Sequence, residues 1–353
     1  MSEFPNTAVV ILAWNGRKYL EKFLPSVVEH SAIPNCDVYV ADNMSTDDSI
    51  EFLKRNFPSV HIIQNKRNGG FAGGYNDALA EINAKYYILL NQDVEVTEDW
   101  IQPVITMLEN DENIVAAQPK LRAFNQKTHF EYAGAAGGLL DRFGYPFCRG
   151  RIFYEIEEDL GQYDDPYELF WATGACMFIR AEEYHKAGGL DEDFFAHMEE
   201  IDLCWRLKNK GFSIMYCPDS TVYHLGGGSL PQGNPKKTYL NFRNNLIMIY
   251  KNVSRRNFLF ILLVRLFLDG AAAGYSLFIE RRPKNVLAIL KAHFSFYFDI
   301  VKWTKKRRKV QKERSSQNSS GLLRRSLVFQ FFIRGKKTFK QLKPYMSESK
   351  ASA

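Results

Sequence analysis

Asp93 stands where an apolar run, Tyr87-Ile-Leu-Leu-Asn-Gln-Asp93, stops and the backbone meets solvent. A carboxylate so placed can hold a hard divalent cation against a diphosphate. Mg²⁺ and Mn²⁺ prefer oxygen ligands, take one or two carboxylates from a protein, and complete their shells with phosphate oxygens and water. Asn91 and Asp93 therefore form a candidate metal and diphosphate corner, although Asn and Asp also favour turns after strands for structural reasons alone. In Asp42-Asn43-Met44-Ser45-Thr46-Asp47-Asp48-Ser49, Asp42 is placed to accept the imide N–H of a pyrimidine or a ribose hydroxyl, or else to cap a turn. In Asn68-Gly-Gly-Phe-Ala-Gly-Gly-Tyr-Asn76, Asn68 and Gly70 belong to a glycine-rich loop that lets backbone approach a ligand closely. That loop lacks the Lys-Ser/Thr of a P-loop and does not follow a first strand as a Gly-x-Gly-x-x-Gly fingerprint does.

The elements that must position these residues alternate. Ala8 to Ala13, Val38 to Ala41, Val60 to Gln64 and Tyr86 to Leu90 read as strands; Arg17 to His30, Thr46 to Asn56 and Phe71 to Asn83 read as helices. This pattern predicts a parallel sheet with crossover helices, binding its ligand beyond the carboxyl ends of the strands. Phe124 to Tyr167 reads as loops and short strands shaping a pocket. A strand at Gly174 to Ile179, helices at Ala181 to Ala187 and Met198 to Lys210, and a strand at Ile214 to Tyr216 follow.

At 353 residues the chain is long enough for two domains, or one large domain with an appendage. The net charge of +6 conceals an asymmetry: Lys302 to Lys343 carries +14, which leaves −8 on the remainder. An acidic body argues against general nucleic-acid binding, which calls for basic stripes on the folded domain. The N-terminus lacks a basic n-region and its apolar run is too short for a signal peptide, which predicts a cytoplasmic start. Five scattered cysteines without Cys-x-x-Cys spacing predict reduced thiols rather than a disulfide framework or a zinc site. His197-Met-Glu199 has the His-x-Glu spacing of zinc deaminases, but no Pro-Cys-x-x-Cys follows.

In order and spacing, the stretches above resemble the family 2 glycosyltransferases of GT-A fold, in the rhamnosyltransferase-like branch. Val9-Val-Ile-Leu-Ala-Trp-Asn15, Leu90-Asn-Gln-Asp93, Gly174-Ala-Cys-Met-Phe-Ile-Arg180, Gly188-Gly-Leu-Asp-Glu-Asp-Phe-Phe195 and Glu199-Glu-Ile-Asp-Leu-Cys-Trp-Arg206 extend the match over roughly residues 7 to 250. The resemblance implies a nucleotide-diphosphate sugar donor, with Asp42 on the base, Ala13 and Asn15 near the nucleoside, and Asp93 on a Mg²⁺ or Mn²⁺ ion. The family's commoner Asp-x-Asp is here Asn91-Gln-Asp93. The resemblance also places His224 at the metal and Glu200, or its neighbour Glu199, as the base that activates the acceptor hydroxyl. Trp171 is a candidate for stacking on a sugar, or for plain wall packing. Asp202 is a candidate for the acceptor or sugar pocket, with an i,i+4 ion pair to Arg206 the simpler reading.

Phe258 to Ile279 approaches the length of a membrane span, but Arg265 and Asp269 lie near its centre and each costs a few kcal/mol on insertion scales. An interfacial helix followed by a basic segment drawn to anionic lipid is expected, with a buried helix and a solvated charge run as the alternative. The sequence thus predicts a catalytic domain over residues 1–250 and a membrane-associating appendage over 251–353. The activity expected is metal-dependent inverting sugar transfer, at the cytoplasmic membrane face, to a lipid-linked or surface-polysaccharide acceptor. Sugar-nucleotide synthesis by a nucleotidyltransferase, and non-catalytic nucleotide-sugar binding, are the alternatives.

Overall fold

The computed structural model describes residues 6–226, 233–316 and 318–347. Its first half alternates: β1 (Thr7–Ala13), α1 (Arg17–His30), β2 (Cys36–Asp42), α2 (Ser49–Asn56), β3 (His61–Gln64), α3 (Gly70–Leu79) and β4 (Tyr86–Asn91). β1 lies between β2 and β4, parallel to both. Successive residues of a strand face opposite sides: Ala8 and Val10 feed one core beneath α3, and Val9 and Ile11 feed the other beneath α1. Burial on both faces is why these strands read as unbroken apolar runs. The register sets Ala13 opposite Asp42 and Leu12 opposite Asn91, so the three carboxyl ends converge as expected.

The second half adds β5 (Val94–Val96), α4 (Gln102–Asn110), β6 (Ile114–Ala123), β7 (Gln126–Phe130), β8 (Gly138–Asp141), β9 (Pro146–Cys148), β10 (Arg151–Ile152), β11 (Glu155–Ile156), β12 (Tyr167–Leu169), β13 (Cys176–Arg180), α5 (Ala181–Lys186), α6 (Glu199–Lys208) and β14 (Ser213–His224). The main sheet runs β12-β14-β6-β13-β4-β1-β2-β3 and is mixed, because β13 is antiparallel to β4 and β6. β14 is far longer than the three residues expected. A break in register between Cys217 and Thr221 absorbs Pro218, which cannot donate to the ladder. The strand then resumes and carries His224 opposite Val94.

The C-terminal region is helical: α7 (Pro235–Asn252), α8 (Phe258–Phe278), α9 (Pro283–Phe298) and α10 (Ile300–Glu313), then β15 (Leu322–Leu323) and α11 (Phe339–Leu342). A boundary at residue 250 does not separate packing units here, because it cuts through α7. Nor is the basic stretch a solvated tail. Trp303 and Val310 seat α10 on the body, and Lys302 and Lys306 pair with Asp191 and Asp193. β15 then adds to β8 as a strand of the small sheet β11-β10-β9-β8-β15. Gly321 makes that approach possible: its φ is +77°, and a Cβ there would stand 2.3 Å from Phe170 N.

Leu323 is fully buried in this junction. Leu323→Ala should lower the unfolding free energy by about 2–5 kcal/mol, measured by urea denaturation; an unchanged midpoint would mean that the segment does not dock.

Candidate functional site

One cleft of about 880 Å³ opens at the carboxyl ends of β1 and β4 and reaches the N-terminus of α6, the β8–β9 turn and the inner face of α8. Of the residues singled out in the sequence, Asn68, Gly70, Asn91, Asp93, Trp171, Glu199, Glu200 and His224 all line it. Four do not. Ala13 is buried against neighbouring strands, and its neighbours Leu12 and Trp14 line the cleft instead. Asn15 is spent on a turn, taking Thr46 N–H on Oδ1 at 2.7 Å. The Asp42 carboxylate accepts from Ser45 N at 3.2 Å, the turn-capping alternative, while adjacent Asn43 faces the cleft. Asp202 lies about 200° round α6 from Glu200 and is fully buried, bonded to Arg206 Nε and Lys251 Nζ at 2.9 Å and to Asn252 at 2.8 Å. It is part of the packing behind the site.

At the first corner, Asp93 Oδ1 stands 3.2 Å from His224 Nε2, and the Asn91 amide stands 3.3 Å from the same nitrogen. Glu131 Oε1 is 3.4 Å from Nδ1. Burial disfavours a charged imidazole, but Glu131 and then Asp93 outweigh it and raise the His224 pKa to about 10. This pocket therefore calls for positive charge. Two cis ligands of an octahedral cation with bonds of ~2.1 Å lie ~3 Å apart, so Asp93 and His224 are spaced to share one. Among the described residues no cluster of three His, Cys, Asp or Glu side chains forms a closed cage. A carboxylate, an imidazole and diphosphate oxygens make a suitable donor set for Mn²⁺ or Mg²⁺.

The second corner is built on strained backbone. Phe195, His197 and Met198 have φ of +64°, +71° and +74° immediately before α6, and such conformations cost about 1–3 kcal/mol each outside glycine. Neighbouring groups hold them. The fully buried Asn244 of α7 donates its amide to the carbonyls of Phe194, Ala196 and His197 at 2.8–2.9 Å. Phe71 N–H donates to Phe195 O at 2.7 Å. Gly70 explains the glycine-rich loop, because a Cβ there would stand 2.4 Å from Phe195 O. That glycine makes room for a protein loop, whereas the sequence pointed to a ligand.

The loop delivers Glu199 and Glu200 to the cleft. Glu199 is 3 % exposed and Glu200 somewhat more, and one carboxylate oxygen of each, Oε2, has no hydrogen-bond partner among the described residues. Burial raises both pKa values. Glu199, repelled also by Glu200, is pushed well above the ordinary range, and Glu200 to about 7. A buried pair with separated affinities can hold one proton and present one base near neutral pH. Trp171 packs as wall, its indole N–H donating to Leu139 O at 2.8 Å.

His197, Lys236, Lys237, Asn244 and Arg265 were not singled out for this site by sequence reasoning. The His197 Nε2 is buried in the cleft wall without a partner among the described residues, and burial with Lys237 nearby lowers its pKa to about 4, leaving a neutral ring. The lysines enter from the first turn of α7; the end of the stretch that carries His224, Val222-Tyr-His-Leu-Gly-Gly-Gly-Ser229, lies outside the described residues from Gly227 onward. The one signal that could have found Asn244 is a pair of amides, Asn244-Asn245, immediately before the apolar run Leu246-Ile-Met-Ile-Tyr250.

The family model for Glycosyl transferase family 2 matches residues 8–186. An N-acetylglucosaminyl-diphospho-decaprenol L-rhamnosyltransferase of Mycobacterium tuberculosis is 24% identical over 248 residues, covering 61% of this chain and 75% of that one. The dTDP-rhamnosyl transferase RfbF of Shigella flexneri is 24% identical over 261 residues, covering 70% and 81%. Among solved structures, GalNAc-T7 with UDP, GalNAc and Mn²⁺ superposes with a TM-score of 0.57 at 17% identity, over 71% of this chain and 48% of that one. A Pyrobaculum calidifontis mannosyltransferase with GDP-Man and Mn²⁺ gives 0.52 at 14%, over 88% and 86%. The mixed sheet flanked by helices is thus of GT-A type, and with the family model spanning half the chain and rhamnosyltransferases among its relatives, the chain belongs to glycosyl transferase family 2.

Proposed function

We propose that this protein is a metal-dependent, inverting glycosyltransferase. It moves a sugar, with rhamnose the leading candidate, from a dTDP- or UDP-linked donor to a hydroxyl of a lipid-linked or surface-polysaccharide acceptor. The observation that carries the reading is the meeting, in one cleft, of the Asp93 and His224 corner with the buried Glu199 and Glu200 pair. Asn91 and Asn68 line the donor side, and Asp42 stands beside it at the β2 end as the residue for the base. A divalent cation held by Asp93 and His224 would neutralise charge on the departing nucleoside diphosphate. Glu200 takes the proton of the acceptor hydroxyl as it attacks opposite that leaving group, and Glu199, protonated, adds no second negative charge to repel it. Trp171 walls the sugar.

The exposed faces of α8 and α9 support action at the cytoplasmic face of a membrane, as a peripheral protein. Phe267, Phe294 and Phe298 are 77, 75 and 90 % exposed. Exposed Arg255, Arg256, Arg281 and Arg282 bracket α8, a distribution suited to anionic headgroups around an apolar contact. α8 is the one described helix long and apolar enough to span a bilayer. Its Arg265 and Asp269 turn toward the body and are buried there, which favours a helix lying on the surface.

Incubation with a panel of nucleotide-sugars and Mn²⁺ or Mg²⁺ should release nucleoside diphosphate from a dTDP- or UDP-sugar. Asp93→Ala should abolish release with the apo melting temperature nearly unchanged, and full activity in excess chelator would remove the metal assignment. Glu200→Gln should slow turnover by ~10²–10⁴ at similar donor affinity. Because a base works deprotonated and Glu200 titrates at about 7, the wild-type rate should rise with pH and level off above that value. If Glu199→Gln is instead the crippled variant, the two roles are exchanged.

A further inference from the structure

Phe153, on the wall of the cleft, packs its ring on Phe331 and Phe332 at 5.0 and 5.2 Å. These belong to the Phe329–Ile333 turn, whose Phe329, Phe332 and Ile333 are 46, 47 and 69 % exposed. Phe332 also meets Tyr275 of α8 at 6.4 Å. The cleft wall therefore continues, ring against ring, into the apolar outer surface shared by α8 and this turn.

Two buried guanidiniums line this cleft. Arg265 turns inward from α8 with its guanidinium 4.0 Å from the Tyr145 ring centroid; its Nη1 donates to Phe143 O at 3.3 Å, and its buried Nε has no partner among the described residues. Its carboxylate neighbour Asp269 is already committed, to Arg265 at 2.9 Å, Tyr145 at 3.0 Å and His293 at 3.2 Å. Arg151, also buried, is a second guanidinium on this wall; its Nε is taken by Tyr132 O and its Nη2 by Cys148 Sγ. A guanidinium is built to grip phosphate oxygens. The loop of Glu199 and Glu200 joins this end to the donor side: Asn245 reaches both Met198 Sδ and Gly144 O, beside Tyr145, while Phe195 O meets Phe71.

We propose that this end of the cleft is a subsite for the phosphate that links the acceptor's sugar, which carries the attacking hydroxyl, to a long-chain lipid, and that the hydrocarbon leaves between α8 and the Phe329–Ile333 turn. The inference rests on reading the cleft as a sugar-transfer site, and it chooses between the two acceptor classes. A soluble glycan would meet aromatic rings along this exit where it needs hydrogen-bonding partners, whereas a hydrocarbon chain gains by covering them. One face of α8 then meets the acceptor's charge and the other the membrane from which it comes.

Binding to the full-length protein should be measured in dodecylmaltoside micelles for geranylgeranyl phosphate, geranylgeraniol and inorganic phosphate, with UDP and dTDP plus Mn²⁺ as a parallel arm. The lipid phosphate should bind at least tenfold more tightly than the alcohol, and inorganic phosphate should compete only weakly. Phe332→Ser, at a half-exposed position that leaves the core filled, should weaken the lipid phosphate at least tenfold and leave nucleoside diphosphate binding as it was. Arg151→Met should remove the preference for phosphate over alcohol. Equal binding of alcohol and phosphate, or a Phe332→Ser protein with wild-type affinity, overturns this inference alone. Failure of the wild type to bind either nucleoside diphosphate overturns the reading of the cleft on which it rests.

Discussion

The side-chain amide of Asn244 holds a stretch of backbone that would otherwise relax. It satisfies three carbonyls of the Phe194 to His197 loop at once, and Arg243 adds a bond of 2.7 Å to Asp193 O. With Phe195, His197 and Met198 all at positive φ in this loop and the residue that follows it, the strain amounts to several kcal/mol by the usual range of about 1–3 each. It persists because α7, the glycine-rich loop and the loop itself are fixed to one another. Loosening any of them would move Glu199 and Glu200 relative to Asp93, which lies at the end of a different strand.

Holding those carboxylates in place also sets their basicity. They begin α6, where the helix dipole favours negative charge by about 0.3–1 kcal/mol. Burial works the other way and wins: a rise in the Glu200 pKa from 4.5 to about 7 corresponds to roughly 3 kcal/mol. A more exposed helix N-terminus would leave both groups as ordinary, weakly basic carboxylates. The opposite balance holds at His224, where Glu131 and Asp93 outweigh burial and favour a cation. The cleft thus has a corner that draws positive charge and another that resists a second negative one.

The first half of the fold could be read directly, because strands buried on both faces and helices with one apolar face are written in local sequence: β1, β4 and α1 fall within a residue of where the pattern put them. The order of the motifs brought eight of the residues singled out into one cleft. What could not be read depends on distant partners. Asn15 has the right type at a strand end but spends its side-chain oxygen on a turn, whereas Asp42 caps a turn through Ser45 and keeps acceptor capacity for a ligand; nothing local distinguishes these uses. β14 was cut short by Pro218, since a break in register is a property of the pairing with β6 and not of the strand. The basic C-terminal stretch read as a tail because its partners, Asp191, Asp193 and β8, lie more than a hundred residues away. The local mark of Asn244 is the amide pair it forms with Asn245, and that pair does not reveal that its function is to satisfy backbone elsewhere.

A single base facing the acceptor, with the leaving group on the far side, leads to one-step displacement at the sugar carbon. The anomeric configuration of the sugar released from the turned-over donor, followed by ¹H NMR before mutarotation, tests that arrangement directly. The account predicts inversion relative to the donor. Retained configuration would require a covalent or same-face route, and would contradict the assignment of Glu200 as the base.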